Sequence, residues 1–316
     1  MRKYHASNQA PFGGFLLILL LAILSGLILG GILWAIDDLL HFYLVIVFPL
    51  FAGAIAGGVL TLGVRAGKVR SPFIAVLMGL LAGVIMFGVY HYASYYITFR
   101  GAVRDQYVQD AGKTPTDAQL DQFIDKGLKT ETGDTGFVGF LRLIAINGFS
   151  ITSTTASAPS TTDMELQGNV VWGYWALELL IAVVTAAWIA ARAAGQPFDE
   201  DANTWYGKPT LLATATMKSR KPLHNALKDG DFQTAGSLLS PESIKWPRTE
   251  VLIRRSAAAG SLSQQDIYLT VNYAQRKGRT VIQRRGVVSP SELDLLKRAM
   301  NQPSPTGTTS SARFPL

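Results

Sequence analysis

Hydrophobic and polar positions are unevenly distributed along this chain. Four runs are nearly all apolar, Gly13–Ile36, Phe42–Val64, Phe73–Ile97 and Val170–Arg192, and each matches the roughly 20 residues a helix needs to cross a bilayer core. Glu178 is the single acidic position inside them. Between the third and fourth runs the pattern turns amphipathic. Val108, Leu120, Phe123, Ile124 and Leu128 recur at helical spacing, Thr116-x-x-Gln119 reads as a capping box, and Gly133 and Gly136 break the chain. Phe137–Ile151 then reads as a further helix, lying along the membrane interface or over the bundle. Ser150–Thr162, almost all Ser, Thr and Ala, reads as a flexible connector.

After the fourth run the pattern is that of an ordinary polar domain. Leu223–Leu239 predicts a short helix pair turning at Gly230. Glu250–Arg255, Asp266–Tyr273 and Thr280–Val288 carry β-branched and aromatic residues, the last two forming a hairpin across a basic, glycine-containing turn. Ser289-Pro290-Ser291-Glu292 starts a closing helix that runs to Met300. The expected fold is therefore an α-helical integral membrane bundle of four transmembrane helices with a small α+β cytoplasmic C-terminal domain. Its parts are 1–97, a three-helix membrane region; 98–169, a partly helical extracytoplasmic loop; 170–192, the fourth transmembrane helix; 193–301, the cytoplasmic domain; and 302–316, a disordered tail rich in Pro, Ser and Thr.

Charge orients this layout. Arg2 and Lys3 precede the first run, Arg65, Lys68 and Arg70 separate the second from the third, and Asp37 and Asp38 separate the first from the second. Positive residues mark the cytoplasmic side, so both termini are expected inside, in a bacterial inner membrane. The long outer loop has 6 basic and 9 acidic residues, a net of −3, whereas residues 193–316 have 17 basic and 10 acidic, a net of +7. The first run is too long for the apolar region of a cleaved signal and reads as a retained signal-anchor. Only 16% of the residues are charged, which argues against a disordered chain and against an ordinary soluble enzyme. The absence of cysteine excludes disulfides, thiolate metal sites and cysteine nucleophiles.

Three groups of residues are candidate sites. Gly26 and Gly30, Gly53 and Gly57, Gly79 and Gly83 are spaced by four, placing each pair on one helix face. Such faces serve close helix packing, a homo-oligomer seam or a narrow pore. Glu178, with His91 at similar depth on the third helix, is an intramembrane polar pair. An ionisable group at that depth faces protein, water or a partner, and is either a structural carboxylate held by Tyr or His or a proton- or cation-handling one. Arg276, Lys277, Arg279, Arg284 and Arg285 make the hairpin the most basic part of the chain. A solvated turn, docking on anionic lipid headgroups, or binding of an acidic protein or of nucleic acid, with Tyr268 and Tyr273 as stacking partners, would each account for them. No recognised nucleic-acid motif accompanies them, which disfavours nucleic acid.

The segment after the fourth run carries Pro197, Phe198, Glu200 and Trp205, following a span with the aromatic residues Trp172, Tyr174 and Trp175 and the intramembrane Glu178. This resembles a group of poorly characterised bacterial four-span membrane proteins with a Pro-Phe-Cys-Glu-x-Cys-x-x-Trp motif after the last span. Asp199 and Ala202 stand at the two cysteine positions, which removes half of any metal knuckle. The resemblance covers about residues 170–210 and implies architecture and membrane location only. No phosphate-binding loop, dinucleotide fingerprint, zinc-protease helix or serine-hydrolase elbow is present, and His5, His41, His91 and His224 lie in separate segments. The expectation is a scaffold, accessory subunit or signal-coupling protein without catalytic site, cofactor or metal, acting through a protein partner or a homo-oligomer. The alternative is a small transporter or channel component using Glu178 near His91.

Overall fold

The computed structural model describes residues 1–40, 46–153, 162–242, 244–256, 266–274 and 280–302. The chain divides into two compact units, one of residues Asn8–Gly195 and the other of Met1–Ser7 together with the chain from Gln196 onward. In chain order the elements are β1 (Arg2–Lys3), α1 (Phe12–Leu40), α2 (Val47–Ala66), α3 (Pro72–Ala93), a π-helical stretch (Ser94–Phe99), α4 (Arg100–Ala111), α5 (Asp117–Thr132), α6 (Gly136–Asn147), β2 (Phe149–Ser153), β3 (Thr162–Leu166) and α7 (Asn169–Ala194). They continue with β4 (Phe198–Asp199), β5 (Thr204–Trp205), β6 (Thr210–Ala215), α8 (Arg220–Asp229), α9 (Phe232–Ser237), β7 (Arg248–Arg254), β8 (Ile267–Ala274), β9 (Thr280–Val288) and α10 (Pro290–Met300).

Four helices are long and apolar enough to cross a membrane: α1, α2, the rod formed by α3 with its continuation to Ala111, and α7. They pack in the cyclic order α1–α2–α7–α3. The neighbours of their glycines give the directions. Gly26 and Gly30 meet Ala82–Val89 in rising order and Gly53 and Gly57 meet Ala182–Ile189 in rising order, so α1/α3 and α2/α7 are parallel pairs; Gly79 and Gly83 meet Ala187 and Val183, an antiparallel pair. This bundle inverts the pattern of a water-soluble one. Its interior is lined by Ala52, Ala56, Ala82, Ala186 and Ala190, while Phe51, Leu62, Leu180 and Trp188 point outward, each more than half exposed. Large apolar outer surfaces and small-residue seams are what lipid, rather than water, favours.

Several boundaries differ from the sequence expectation. The first helix runs to Leu40, so Asp37 and Asp38 belong to its last turn and not to a connector. The second begins at Val47 among the described residues, and the expected start at Phe42 lies outside them. The third continues through the π-helical stretch into α4 because nothing between Tyr92 and Ala111 breaks it until Gly112 adopts φ 65°. Helix α5 begins with the expected capping box: the Gln119 backbone N–H donates to Thr116 Oγ1 at 3.3 Å and the Thr116 N–H donates to Gln119 Oε1 at 3.0 Å. Leu120, Ile124 and Leu128, one per turn, bury against Phe140 of α6, Tyr95 and Phe99. The helix expected to reach Ile151 stops at Asn147. Residues 149–153 pair antiparallel with 162–166, so the expected connector is in part a β-hairpin, its middle (154–161) outside the described residues.

In the other unit a five-stranded sheet has the order β1-β9-β8-β7-β6. The three expected strands are the inner ones, β7, β8 and β9; the edge strands β6 and β1 and the small β4–β5 hairpin carry no comparable signal. One face of the sheet is covered by α8, α9 and α10 through Leu223, Leu227, Leu269, Val271 and Leu296, all nearly inaccessible. The closing helix α10 has a complete Ser289–Glu292 capping box with Pro290 in its first turn. The N-terminal residues close the sheet edge: Arg2 pairs with Val287 and Lys3 with Gly286. A side chain at position 286 would meet the Met1 side chain at 2.7 Å, so glycine is what lets β1 approach. The expected disordered tail lies, from 303 on, outside the described residues.

Candidate functional site

The six packing glycines all face neighbouring helices of the same bundle. A methyl built on Gly53 would come within 2.5 Å of the Ala182 carbonyl oxygen, and one on Gly79 within 2.5 Å of Ala187 Cα. Gly57 approaches Ile189, Gly83 approaches Val183, and Gly26 and Gly30 approach Ile85 and Val89 in the same way. These faces are therefore occupied by intramolecular contact.

Polar groups gather toward one end of the bundle, where α1, α3 and α7 meet. Glu178 is buried, 5% exposed, and accepts a hydrogen bond from the Tyr174 hydroxyl one turn earlier on α7. On the facing helix the Tyr90 hydroxyl donates to Asp37 Oδ2 of α1 at 2.8 Å. The two phenol–carboxylate pairs lie within each other's electrostatic reach. Acidic side chains in the last turn of a helix oppose its macrodipole. At the end of α1 that conflict is relieved by donors: Tyr90 serves Asp37, and the Thr98 hydroxyl serves Asp38 at 2.6 Å while accepting from the Trp34 indole at 3.0 Å. Thr98 sits in the π-helical stretch, whose wider turn rotates the following face relative to an α-helix.

His91 is equally buried and its Nε2 has no hydrogen-bond partner. Aromatic rings enclose it, with Phe87 at 4.3 Å, Tyr90 at 4.9 Å and Trp175 at 4.9 Å between centroids. Glu178 and His91 lie on the facing helices α7 and α3, and it is Trp175, one turn before Glu178, that lies against the imidazole. The residue not singled out from sequence is Asp37, which read as a connector acid; its signal is the continuation of apolar spacing through Leu39 and Leu40. Asp37 and Asp38 also line an open cleft of about 590 Å3 with Trp34, Ser94 and Thr98.

Below this cluster the described helix faces turn apolar. From Ala182 to Ala194 the buried face of α7 is Ala and Val, packed directly on the glycines of α2 and α3. Of the side-chain hydroxyls there, Ser25 and Thr61 bond back to carbonyls of their own helices, at 3.2 and 2.9 Å, and Thr185 of α7 is half-buried.

In the sheet-containing unit only Arg284 and Arg285 of the five basic hairpin residues are described, and they lie on opposite faces of β9. Arg276, Lys277 and Arg279 lie outside the described residues. Arg284 lies on the helix-covered face, its guanidinium 3.4 Å from His224 Nε2 of α8. Arg285, the next residue, acts on Arg254 and Tyr268 on the opposite face. There burial pushes the Tyr268 phenol up, with Arg285 opposing, and burial pulls Arg254 below its ordinary value. Tyr268 is only 4% exposed, packed against Tyr4 at 5.1 Å and Tyr206 at 5.6 Å, so it offers no face for stacking; Tyr273 lies under Arg220.

After the last long helix, β4 and β5 form a small hairpin, with Phe198 edge-on to Trp205 at 5.0 Å. Asp199 Oδ1 accepts from the Ala202 backbone N–H at 3.1 Å, closing the turn through a hydrogen bond. Among the described residues no group of three or more His, Asp or Glu side chains is arranged to hold a metal. Comparison with family models, curated proteins and solved structures yields no match to this chain. The fold combines four helices long and apolar enough to cross a membrane, which suggests a multi-pass membrane protein, with a small strand-containing C-terminal region.

Proposed function

We propose that this protein is an integral membrane scaffold, accessory subunit or signal-coupling protein that works through protein contacts, residing in a bacterial inner membrane with both termini cytoplasmic. The observation that carries the reading is the tight glycine–alanine packing below Glu178, which leaves the polar cluster without a described continuation across the bundle. A conduction path would need polar or broken helix segments at that depth. The pairing of β1 with β9 supports the topology, because strands hydrogen-bonded in one sheet lie on one side of any membrane and so are separated by an even number of crossings. The basic excess of the C-terminal region then supports a cytoplasmic placement. The likeness of the β4–β5 segment to the cysteine-bearing motif of four-span proteins belongs to the same proposal. Its test is purification of the tagged protein from native membranes in mild detergent after nuclease treatment, with particle mass and co-purifying chains determined. A stoichiometric partner is expected, and a homogeneous homo-oligomer with no partner would overturn the accessory-subunit reading.

A second reading has one observation in its favour, the succession Asp38, Asp37–Tyr90 and Tyr174–Glu178 leading inward from the cleft. It makes the protein a small proton-linked transporter component. In reconstituted vesicles Glu178→Gln would then abolish a proton-coupled flux at unchanged membrane level; a variant that alters only abundance identifies Glu178 as structural.

A further inference from the structure

The sheet-containing unit holds an open cleft of about 780 Å3 between the start of α8 and strand β9. Lys218, Arg220, Lys221 and His224 line it from the α8 side, Val281 and Ile282 from the strand. Arg284 reaches the same place through His224. Arg220 is held by the ring of Tyr273, 4.9 Å from its centroid, which leaves its guanidinium edge available. Among the described residues no acidic side chain lines the cleft. Lys218, Arg220, Lys221 and Arg284 form no ion pair among the described residues, although five ion pairs occur elsewhere.

Positive charge left uncompensated beside a cavity calls for an anion. The apolar side chains narrow the class further. Met217, Val281 and Ile282 are 37%, 47% and 46% exposed at the rim of this cationic cleft. A soluble polyanion would satisfy the charges and leave these aliphatic groups in water. A bilayer surface satisfies both, offering phosphates at headgroup level and an acyl boundary just beneath. The tether makes that surface the nearest one, because the unit resumes at Gln196, directly after Gly195 at the end of the last membrane-crossing helix.

We propose that this cleft is a docking site for the anionic phospholipid headgroups of the membrane that the chain itself crosses, with Lys218, Arg220, Lys221 and Arg284 taking the phosphates and Met217, Val281 and Ile282 dipping toward the acyl boundary. It does not depend on the identity of any protein partner.

The natural absence of cysteine makes the test direct. The full chain carrying Ile282→Cys, labelled with an environment-sensitive fluorophore, is placed in nanodiscs of phosphatidylcholine alone or mixed with phosphatidylglycerol, with and without doxyl-labelled lipid. Blue-shifted emission quenched by the doxyl group is expected only in the phosphatidylglycerol discs, and it should be reversed by high salt. Adding Lys218→Gln and Lys221→Gln should lower the docked-to-free ratio by about twenty-fivefold, at about fivefold for each basic side chain removed. Lys228→Gln, on α8 outside the cleft, should leave the ratio unchanged. A label at Asn225→Cys on the opposite wall keeps the test valid if position 282 tolerates substitution poorly. Equal emission in the two disc types overturns the proposal. So does an emission change produced in phosphatidylcholine discs by an added oligonucleotide or acidic peptide, which would reassign the cleft to a soluble polyanion.

Discussion

The seam between α2 and α7 makes a prediction that separates close packing from mere glycine abundance. Gly53 and Gly58 lie on opposite faces of α2: an added methyl at 53 meets Ala182 O at 2.5 Å and Ala182 Cα at 3.0 Å, whereas one at 58 meets nothing within 4 Å. Carbon–heavy-atom contacts settle at about 3.5–4.0 Å, so Gly53→Ala requires α2 to retreat by about 1 Å from the α7 backbone, which has no flexible side chain to yield. Overpacking of this kind costs about 1–3 kcal/mol. Gly58→Ala meets no obstacle and gains up to about 1 kcal/mol of helix propensity. The two single-methyl variants should therefore lie about 2–4 kcal/mol apart, with opposite signs relative to the parent. Titration with SDS from mild-detergent micelles, followed by the fluorescence of Trp172, Trp175 and Trp188 on α7, reads the difference as a shift in unfolding midpoint. Coincident midpoints for the two variants would refute the described α2–α7 contact and reopen the glycine faces to an oligomer seam.

Other predictions concern the two ends of the molecule. Phe140→Ala, which removes a 5% exposed ring from the cluster of Leu120, Ile124 and Leu128, should destabilise the α5–α6 cap by about 3–5 kcal/mol, read as new protease cleavage within residues 112–148 while α1 and α2 stay protected. Tyr174→Phe withdraws a donor from the buried Glu178 and should cost about 1–3 kcal/mol in the same SDS titration; an unchanged midpoint would mean that other groups satisfy the carboxylate. In the sheet-containing unit, the hydrogen bond from Thr234 holds the exposed Asp231 carboxyl below its ordinary 3.8. A lowered folded value means that its capping contribution is fully present above 3.8 and is lost as pH falls through the folded value. Amide exchange in α9 should accelerate in that acid window in the parent, and Asp231→Ala should remove the dependence; a pH-independent α9 in the parent would refute the cap.

The four membrane-crossing helices were legible in the order of residues because lipid imposes one simple rule, about 20 apolar residues with every backbone group bonded internally, and that rule is local. The capping boxes at Thr116 and Ser289 were legible for the same reason, since each is completed within four residues. The inner strands β7, β8 and β9 were visible as β-branched and aromatic runs. What pairs them was not: the edge position of β1 depends on Gly286 almost three hundred residues away, and a two-residue strand has no pattern of its own. The split of Arg284 and Arg285 to opposite faces follows from the alternation of a strand, yet only the placement of α8 and Tyr4 shows which face receives which partner. The same holds in the bundle. Sequence spacing alone placed each glycine pair on one helix face and set Glu178 and His91 at similar depth in their runs. Tertiary structure decided that α2 meets α7, that Trp175 lies against the imidazole, and that Asp37 joins the polar cluster through Tyr90, because which helix faces which is a property of the assembled side-chain surfaces and of no segment by itself.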